Sequence, residues 1–239
     1  MSSEQASIIT ANLATIQGKI EEAARASRRS PADVRLVAVT KYAELAWVRQ
    51  LIDAGMTTLG ESRPQQLVER AELLGDAVEW HLIGHLQRNK VRQVLPHVSL
   101  IHSIDTLRLL SRVGEIASEL ELRPRVLLEV NVSGETSKDG FSSESLRAEW
   151  QQIVEQNSVV VDGLMTMAPA SDDPEDARPT FAALRELRDE LSSLAPGLSL
   201  PELSMGMSGD YIVAIEEGAT LVRIGSALFD GLSHSEQPS

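Results

Sequence analysis

Short apolar, β-branched runs alternate with longer stretches of helical spacing eight times along this chain. The runs predict strands at residues 34–40, 57–60, 79–84, 98–102, 125–132, 159–165, 201–205 and 220–224. A helix is expected ahead of the first strand (5–27). Others are expected at 45–54, from Pro64 onward, at 87–95, behind Asp105 as a cap, at 179–194 and at 210–217. The strands never follow one another through a tight turn, so parallel pairing with crossover helices is the consistent pattern. Eight such units close naturally into a barrel. An open doubly wound sheet would carry a glycine-rich turn after its first strand, but here that turn is Val39-Thr40-Lys41-Tyr42. The expected fold is therefore α/β, a single (β/α)8 TIM barrel with an extra N-terminal helix. It fills residues 1–239 as one domain, with 233–239 as a frayed tail.

Composition narrows what such a barrel could bind. Of 239 residues, 22 are Lys or Arg and 35 are Asp or Glu, a net charge of −13 that opposes binding to nucleic acid or anionic lipid. Aromatic residues make up 3%, too few for base-stacking platforms. The cluster Arg25, Arg28 and Arg29 reads as the solvated end of the first helix. There is no cysteine, which excludes disulfides and thiolate chemistry. No secretory leader or membrane-length apolar run is visible, so the cytoplasm is the expected location.

In a closed barrel, chemistry collects where strands end at their C-terminal side. Those positions are Lys41, Glu61, Ser62, His81, Ser103, Asn131, Met165, Ser204, Ser208, Arg223, Gly225 and Ser226. Lys41 follows an apolar strand, and partial withdrawal from water there would favour the neutral, nucleophilic amine. The plainer reading is a lysine whose stem packs while its amine reaches water. Arg223-Ile224-Gly225-Ser226 and Ser204-Met205-Gly206-Met207-Ser208 end the last two strands, where barrels often bind phosphate. The same residues also suit a glycine turn with a salt-bridged arginine and a helix N-cap at Ser208. His81 opposes Trp80 across its strand and is read first as a hydrogen-bonded core histidine. Its spacing to His85 crosses a strand end, so a zinc pair is not expected. Neither a Ser-His-Asp order nor a carboxylate pair stands out.

Several segments in one order resemble the pyridoxal phosphate homeostasis proteins. They are Leu36-Val37-Ala38-Val39-Thr40-Lys41, Gly60-Glu61-Ser62-Arg63, the run from Trp80 to Lys90, and His102-Ser103-Ile104-Asp105. Further on come Val130-Asn131-Val132-Ser133, Lys138-Asp139-Gly140, Gly163-Leu164-Met165-Thr166-Met167, and the segments 203–210 and 222–226. The resemblance implies a fold-type III barrel like the N-terminal domain of alanine racemase, with pyridoxal 5′-phosphate (PLP) as cofactor. Lys41 would carry it as a Schiff base, Arg223 would face the pyridine nitrogen, and Gly225, Ser226 and Ser204 or Ser208 would bind the phosphate. Ser62, His81, Ser103 and Met165 complete the expected cofactor-binding set, with no catalytic residue and no metal. The chain departs from the family pattern at Ser62, where asparagine is usual, and at Gln66, where glutamate is common.

The function implied is intracellular PLP homeostasis, by buffering and by delivery to PLP-dependent apoenzymes, without robust catalysis. Two alternatives stand beside it. One is a PLP-dependent racemase or decarboxylase of the alanine racemase class; those enzymes carry a β-rich second domain, for which the short tail after Arg223 leaves no room. The other is a barrel enzyme on a phosphorylated metabolite without a covalent cofactor. A monomer is expected, because that second domain is the usual dimerising element.

Overall fold

The computed structural model describes residues 2–134 and 139–232. The expected tail at 233–239 and Lys138 of the fifth-strand loop lie outside the described residues. Helix α1 (Ser3–Ala26) starts from a capping box in which the Ser2 hydroxyl accepts from the Gln5 amide and the Gln5 side chain accepts from the Ser2 amide. Its residues Ile9, Leu13, Ile16 and Ile20 recur at helical spacing and are buried, each contributing roughly 1.5–3 kcal/mol.

Strands and helices then alternate: β1 (Arg35–Val39), α2 (Leu45–Asp53), β2 (Thr58–Glu61), α3 (Pro64–Leu74), β3 (Glu79–Leu82) and α4 (Val91–Val94). They continue with β4 (Leu100–Ile104), α5 (Leu107–Glu119), β5 (Arg125–Asn131), the two-residue β6 (Phe141–Ser142) and α6 (Ser143–Val154). The last are β7 (Val160–Met165), α7 (Arg178–Leu194), β8 (Glu202–Ser204), α8 (Tyr211–Glu216) and β9 (Leu221–Ile224). Parallel pairing runs β1-β2-β3-β4-β5-β7-β8-β9 and closes through β9 onto β1, giving the expected eight-stranded barrel. Among the described residues the short β6 pairs with the end of β5. Helix α1 packs on α2 and α8, outside the ring.

Some local expectations need correction. The helix expected at 87–95 is only Val91–Val94, because Gln87–Lys90 turns back on itself and Leu95–His97 tightens into a 3-10 turn. Thr106, not Asp105, caps α5, accepting from the Leu109 amide at 3.2 Å. Asp105 faces His85 instead, at 3.3 Å. Arg29 is no solvated helix end either: it donates to the Ile215 carbonyl at 2.9 Å and ties α1 to α8.

The interior divides by polarity. Val37, Leu100, Leu127, Met165 and Leu221 form an apolar layer inside the ring. At the N-terminal end Arg35 and Arg125 both reach Glu202, Arg125 also pairs with Asp162, and Thr220 Oγ1 donates to Glu202 at 2.7 Å. That end is bridged by ion pairs, and the loops after the C-terminal ends of the strands form the opposite mouth.

Candidate functional site

Strands β1 and β9 are neighbours in register, with Ala38 opposite Ile224. Lys41, three residues past Ala38, and Gly225, one past Ile224, therefore share one stretch of rim. Lys41 is exposed, its Nζ 5.0 Å from the centre of the Tyr42 ring. The expected partial withdrawal of Lys41 from water is not met.

The turn that carries Lys41 is nevertheless tightly held. Its amide closure runs from Ala43 N–H to the Thr40 carbonyl at 2.8 Å. Arg70, buried on α3, donates through Nη1 to the Thr40 carbonyl (2.8 Å) and through Nη2 to the Ala43 carbonyl (2.7 Å). Nη1 also meets Oε2 of the fully buried Glu61 at 2.8 Å. Thr40 Oγ1 lies 3.3 Å from the same oxygen, and the Ser62 amide donates to Glu61 Oε1 at 2.9 Å. Burial pushes the Glu61 carboxyl up against the opposing pull of Arg70, and pushes Arg70 down against the opposing pull of Glu61.

Across the rim, the loops after β8 and β9 are joined by the Ala227 amide donating to Ser208 Oγ at 3.4 Å. Asp210 is the N-cap residue of α8, and its carboxylate accepts from the Met207 amide at 2.6 Å, so Ser208 has no capping duty there. Ser226 is exposed beside it. A Cβ on Gly225 would stand 3.2 Å from the Val39 Cβ, so β9 leaves the barrel hard against the end of β1. Ser208, Gly225 and Ser226 stand on these two joined loops, beside the end of β1 that leads to Lys41, as a candidate polar cradle.

Inside the mouth runs a buried polar chain. Arg223 donates through Nη1 to Ser204 Oγ (2.6 Å) and through Nη2 to the Thr166 carbonyl (2.9 Å). Ser204 Oγ lies 2.8 Å from His102 Nδ1, and His102 Nε2 lies 3.0 Å from His81 Nδ1. Arg223 can only donate, so Ser204 Oγ accepts from it; the tautomer in which Ser204 donates to His102 Nδ1 and His102 Nε2–H donates to His81 satisfies each group of the chain. Burial holds His81 neutral, lowered to about 3, and pushes His102 well down. Burial also lowers Arg223 to about 10, which leaves it a cation at neutral pH.

Two expectations are corrected here, those for Ser204 and Ser103, and one reading of His81 holds. Ser204 is completely buried and its hydroxyl is committed to Arg223 and His102, so it is not open to a phosphate. His81 faces His102 within the barrel, as the core-histidine reading expects. Ser103 lies on the opposite strand face from His102 and donates to the Gly84 carbonyl at 2.6 Å, tying β4 to the loop after β3. Of the other expected residues, Met165 belongs to the apolar layer and Ser62 is half-buried at the end of β2. A Cβ on Gly84 would fall 2.3 Å from the Ser62 carbonyl oxygen, so these two loops touch through backbone.

Four participants escape the sequence reading of the site: Thr40, Arg70, His102 and Glu129. Arg70 shares a helical stripe with Leu67 and Leu74, and a charge on an apolar stripe is the signal that could reveal a buried arginine. Glu129, buried on β5, is raised to about 7 by burial and then by Asp105, with Arg223 opposing.

Residues 11–233 match the family profile described as alanine racemase, N-terminal domain. The chain is 41% identical over 218 residues to a pyridoxal phosphate homeostasis protein of Aquifex aeolicus, covering 91% of this chain and 95% of that one. It is also 41% identical over 225 residues to one of Pseudomonas aeruginosa, covering 93% and 95%. Among solved structures, PipY of Synechococcus elongatus with PLP bound superposes with a TM-score of 0.82 at 35% identity, over 92% of this chain and 99% of PipY. Alanine racemase from Corynebacterium glutamicum shares the fold at 15% identity (TM-score 0.73), over 98% of this chain and 65% of the enzyme.

Proposed function

Because this chain belongs to the pyridoxal phosphate homeostasis protein family, built on the alanine racemase N-terminal domain, we propose that it holds PLP through Lys41 in the cytoplasm. There it buffers the cofactor and passes it to PLP-dependent apoenzymes, as a monomer and without a robust reaction of its own. We read residues 1–239 as one cofactor-binding unit.

The observation that carries this reading is the convergence of three unlike groups on one rim. They are the exposed amine of Lys41, the cradle of Ser208, Gly225 and Ser226, and the buried cation Arg223. When bound, PLP supplies an aldehyde for a primary amine, a phosphate and a pyridine ring. The donor set of this mouth fits those parts. Ser208 and Ser226 offer hydroxyls, and the backbone N–H groups of the turn at residues 225–226 can donate to an anion. Arg223 is assigned to the ring nitrogen, where a cation opposes protonation and weakens the ring as an electron sink. Ser204 is assigned to Arg223, which it holds, rather than to the phosphate. Ser62 is assigned to flank the ring, while Met165 packs in the apolar layer beneath it.

The test is an absorption titration of the purified chain with PLP, beside Lys41→Ala. A visible band that borohydride fixes to the chain, and that is missing in the variant, is the expected result. Transfer to an apoenzyme faster than release into solvent would support delivery, and racemase and decarboxylase turnover should stay negligible. A band of equal strength in Lys41→Ala would defeat the assignment of the lysine.

A further inference from the structure

An exposed lysine on a two-residue turn is a poor anchor unless something fixes the backbone beneath it. Each free backbone residue carries conformational entropy that attachment would have to overcome. Here the fixing comes from α3. One guanidinium grips the carbonyls on both sides of Lys41-Tyr42, those of Thr40 and Ala43, at 2.8 and 2.7 Å. Its rigid fork matches two acceptors at once, which a lysine at the same place could not do. Glu61, behind it, holds the fork through Nη1 at 2.8 Å and is itself held by the Ser62 amide at 2.9 Å.

Energetically, the pair is an odd thing to keep. Both partners are pushed toward their neutral forms by burial, against their mutual attraction. Such a pair commonly adds little or nothing to stability compared with apolar residues of similar volume. What it provides is geometry: three segments from β1, β2 and α3 meet at one point under Lys41.

We infer that Glu61 and Arg70 are positioning residues, a buried clamp that holds the Lys41 turn ready for covalent attachment of the cofactor. The inference rests on the function proposed above. The clamp holds the backbone of the turn, the side chain of Thr40 and the Ser62 amide, and has no bond to Ser208, Gly225 or Ser226, so it acts on the attachment step and not on the grip at the Ser208 cradle.

Arg70→Met alone would strand a buried carboxylate, so the test uses the double variant Glu61→Gln/Arg70→Met, which removes both charges. Arg70→Lys, which keeps the charge but loses the fork, is the second variant. Two ligands separate attachment from grip: PLP, and pyridoxine 5′-phosphate, which has the ring and phosphate but no aldehyde. Both variants should attach PLP about tenfold more slowly or worse, with pyridoxine 5′-phosphate affinity kept within about twofold. In the cofactor-free chain, the Ala43 amide should exchange its hydrogen faster in both variants, while the strands keep their protection. An unchanged attachment rate would overturn the clamp. So would an equal loss of both ligands, which would mark a merely structural pair. If the unaltered chain gave no Lys41-dependent adduct, the proposed function would fall, and amide exchange would still read the clamp on its turn.

Discussion

Ser204→Ala should destabilise this barrel far more than the loss of one hydroxyl suggests. Ser204 sits between Arg223 Nη1 at 2.6 Å and His102 Nδ1 at 2.8 Å, completely buried. Alanine fills nearly the same space, so the packing change is small. What changes is that a guanidinium N–H and an imidazole nitrogen both lose their partner inside the ring. Each unsatisfied buried group costs about 1–3 kcal/mol, more when charged, giving about 3–5 kcal/mol here. For a chain of this size that corresponds to a fall in Tm of about 6–20 °C. Ser103→Ala is the matched control. It also removes a buried serine hydroxyl, one that donates to the Gly84 carbonyl at 2.6 Å, but frees no charge and breaks no chain. Its expected cost is about 1 kcal/mol. Urea unfolding of both variants reads the difference in midpoint at constant slope. Equal midpoints for the two variants would refute the idea that the Arg223–Ser204–His102–His81 chain works as a unit.

The titrating groups inside the mouth predict opposing pH effects. His81, held to about 3 against its ordinary 6.5, contributes stability that is complete above pH 6.5 and is lost as pH falls toward 3, because the unfolded chain takes up the proton first. Glu129, raised to about 7 from 4.5, acts in reverse: its folded form keeps the proton, so stability is lost as pH rises from 4.5 through 7. Urea midpoints measured from pH 4 to 8 should therefore show the Glu129→Gln variant gaining on the parent across about 4.5–7 and running parallel above it. A constant gap over that window would contradict the assignment. Gly84→Ala places a methyl 2.3 Å from the Ser62 carbonyl oxygen. Backbone movement at the rim should cost about 1–3 kcal/mol in thermal unfolding and weaken PLP binding in the same titration as Lys41→Ala. A variant as stable as the parent would show that the two loops have room to part.

The fold was legible because its signals are local. Each strand run and each helical stripe, such as Ile9, Leu13, Ile16 and Ile20, declares its period within a few residues. The site was legible in part for the same reason. Lys41, Gly225, Ser226 and Ser208 stand at strand ends, and strand ends of a parallel barrel meet at one mouth. At Ser103 a strand boundary decides which side chain faces inward. The strand expected at 98–102 is β4 at Leu100–Ile104, and a strand's alternation gives adjacent residues opposite faces. The inward residue is therefore His102, the neighbour of Ser103.

What the sequence by itself determined is the barrel and the set of polar residues delivered to its rim, since both follow from periods of two and about 3.6 residues repeated along the chain. What only the tertiary structure decided is how those residues pair. Two serines four positions apart, Ser204 and Ser208, look interchangeable in the sequence. One is sealed against a histidine 102 residues away, while the other bridges to the Ala227 amide at the mouth. The Lys41 turn likewise depends on Arg70, a side chain from another element whose fork arrives only when β1, β2 and α3 are assembled. Hydrogen bonds need partners within about 3 Å in space, and spacing along a chain carries no record of that.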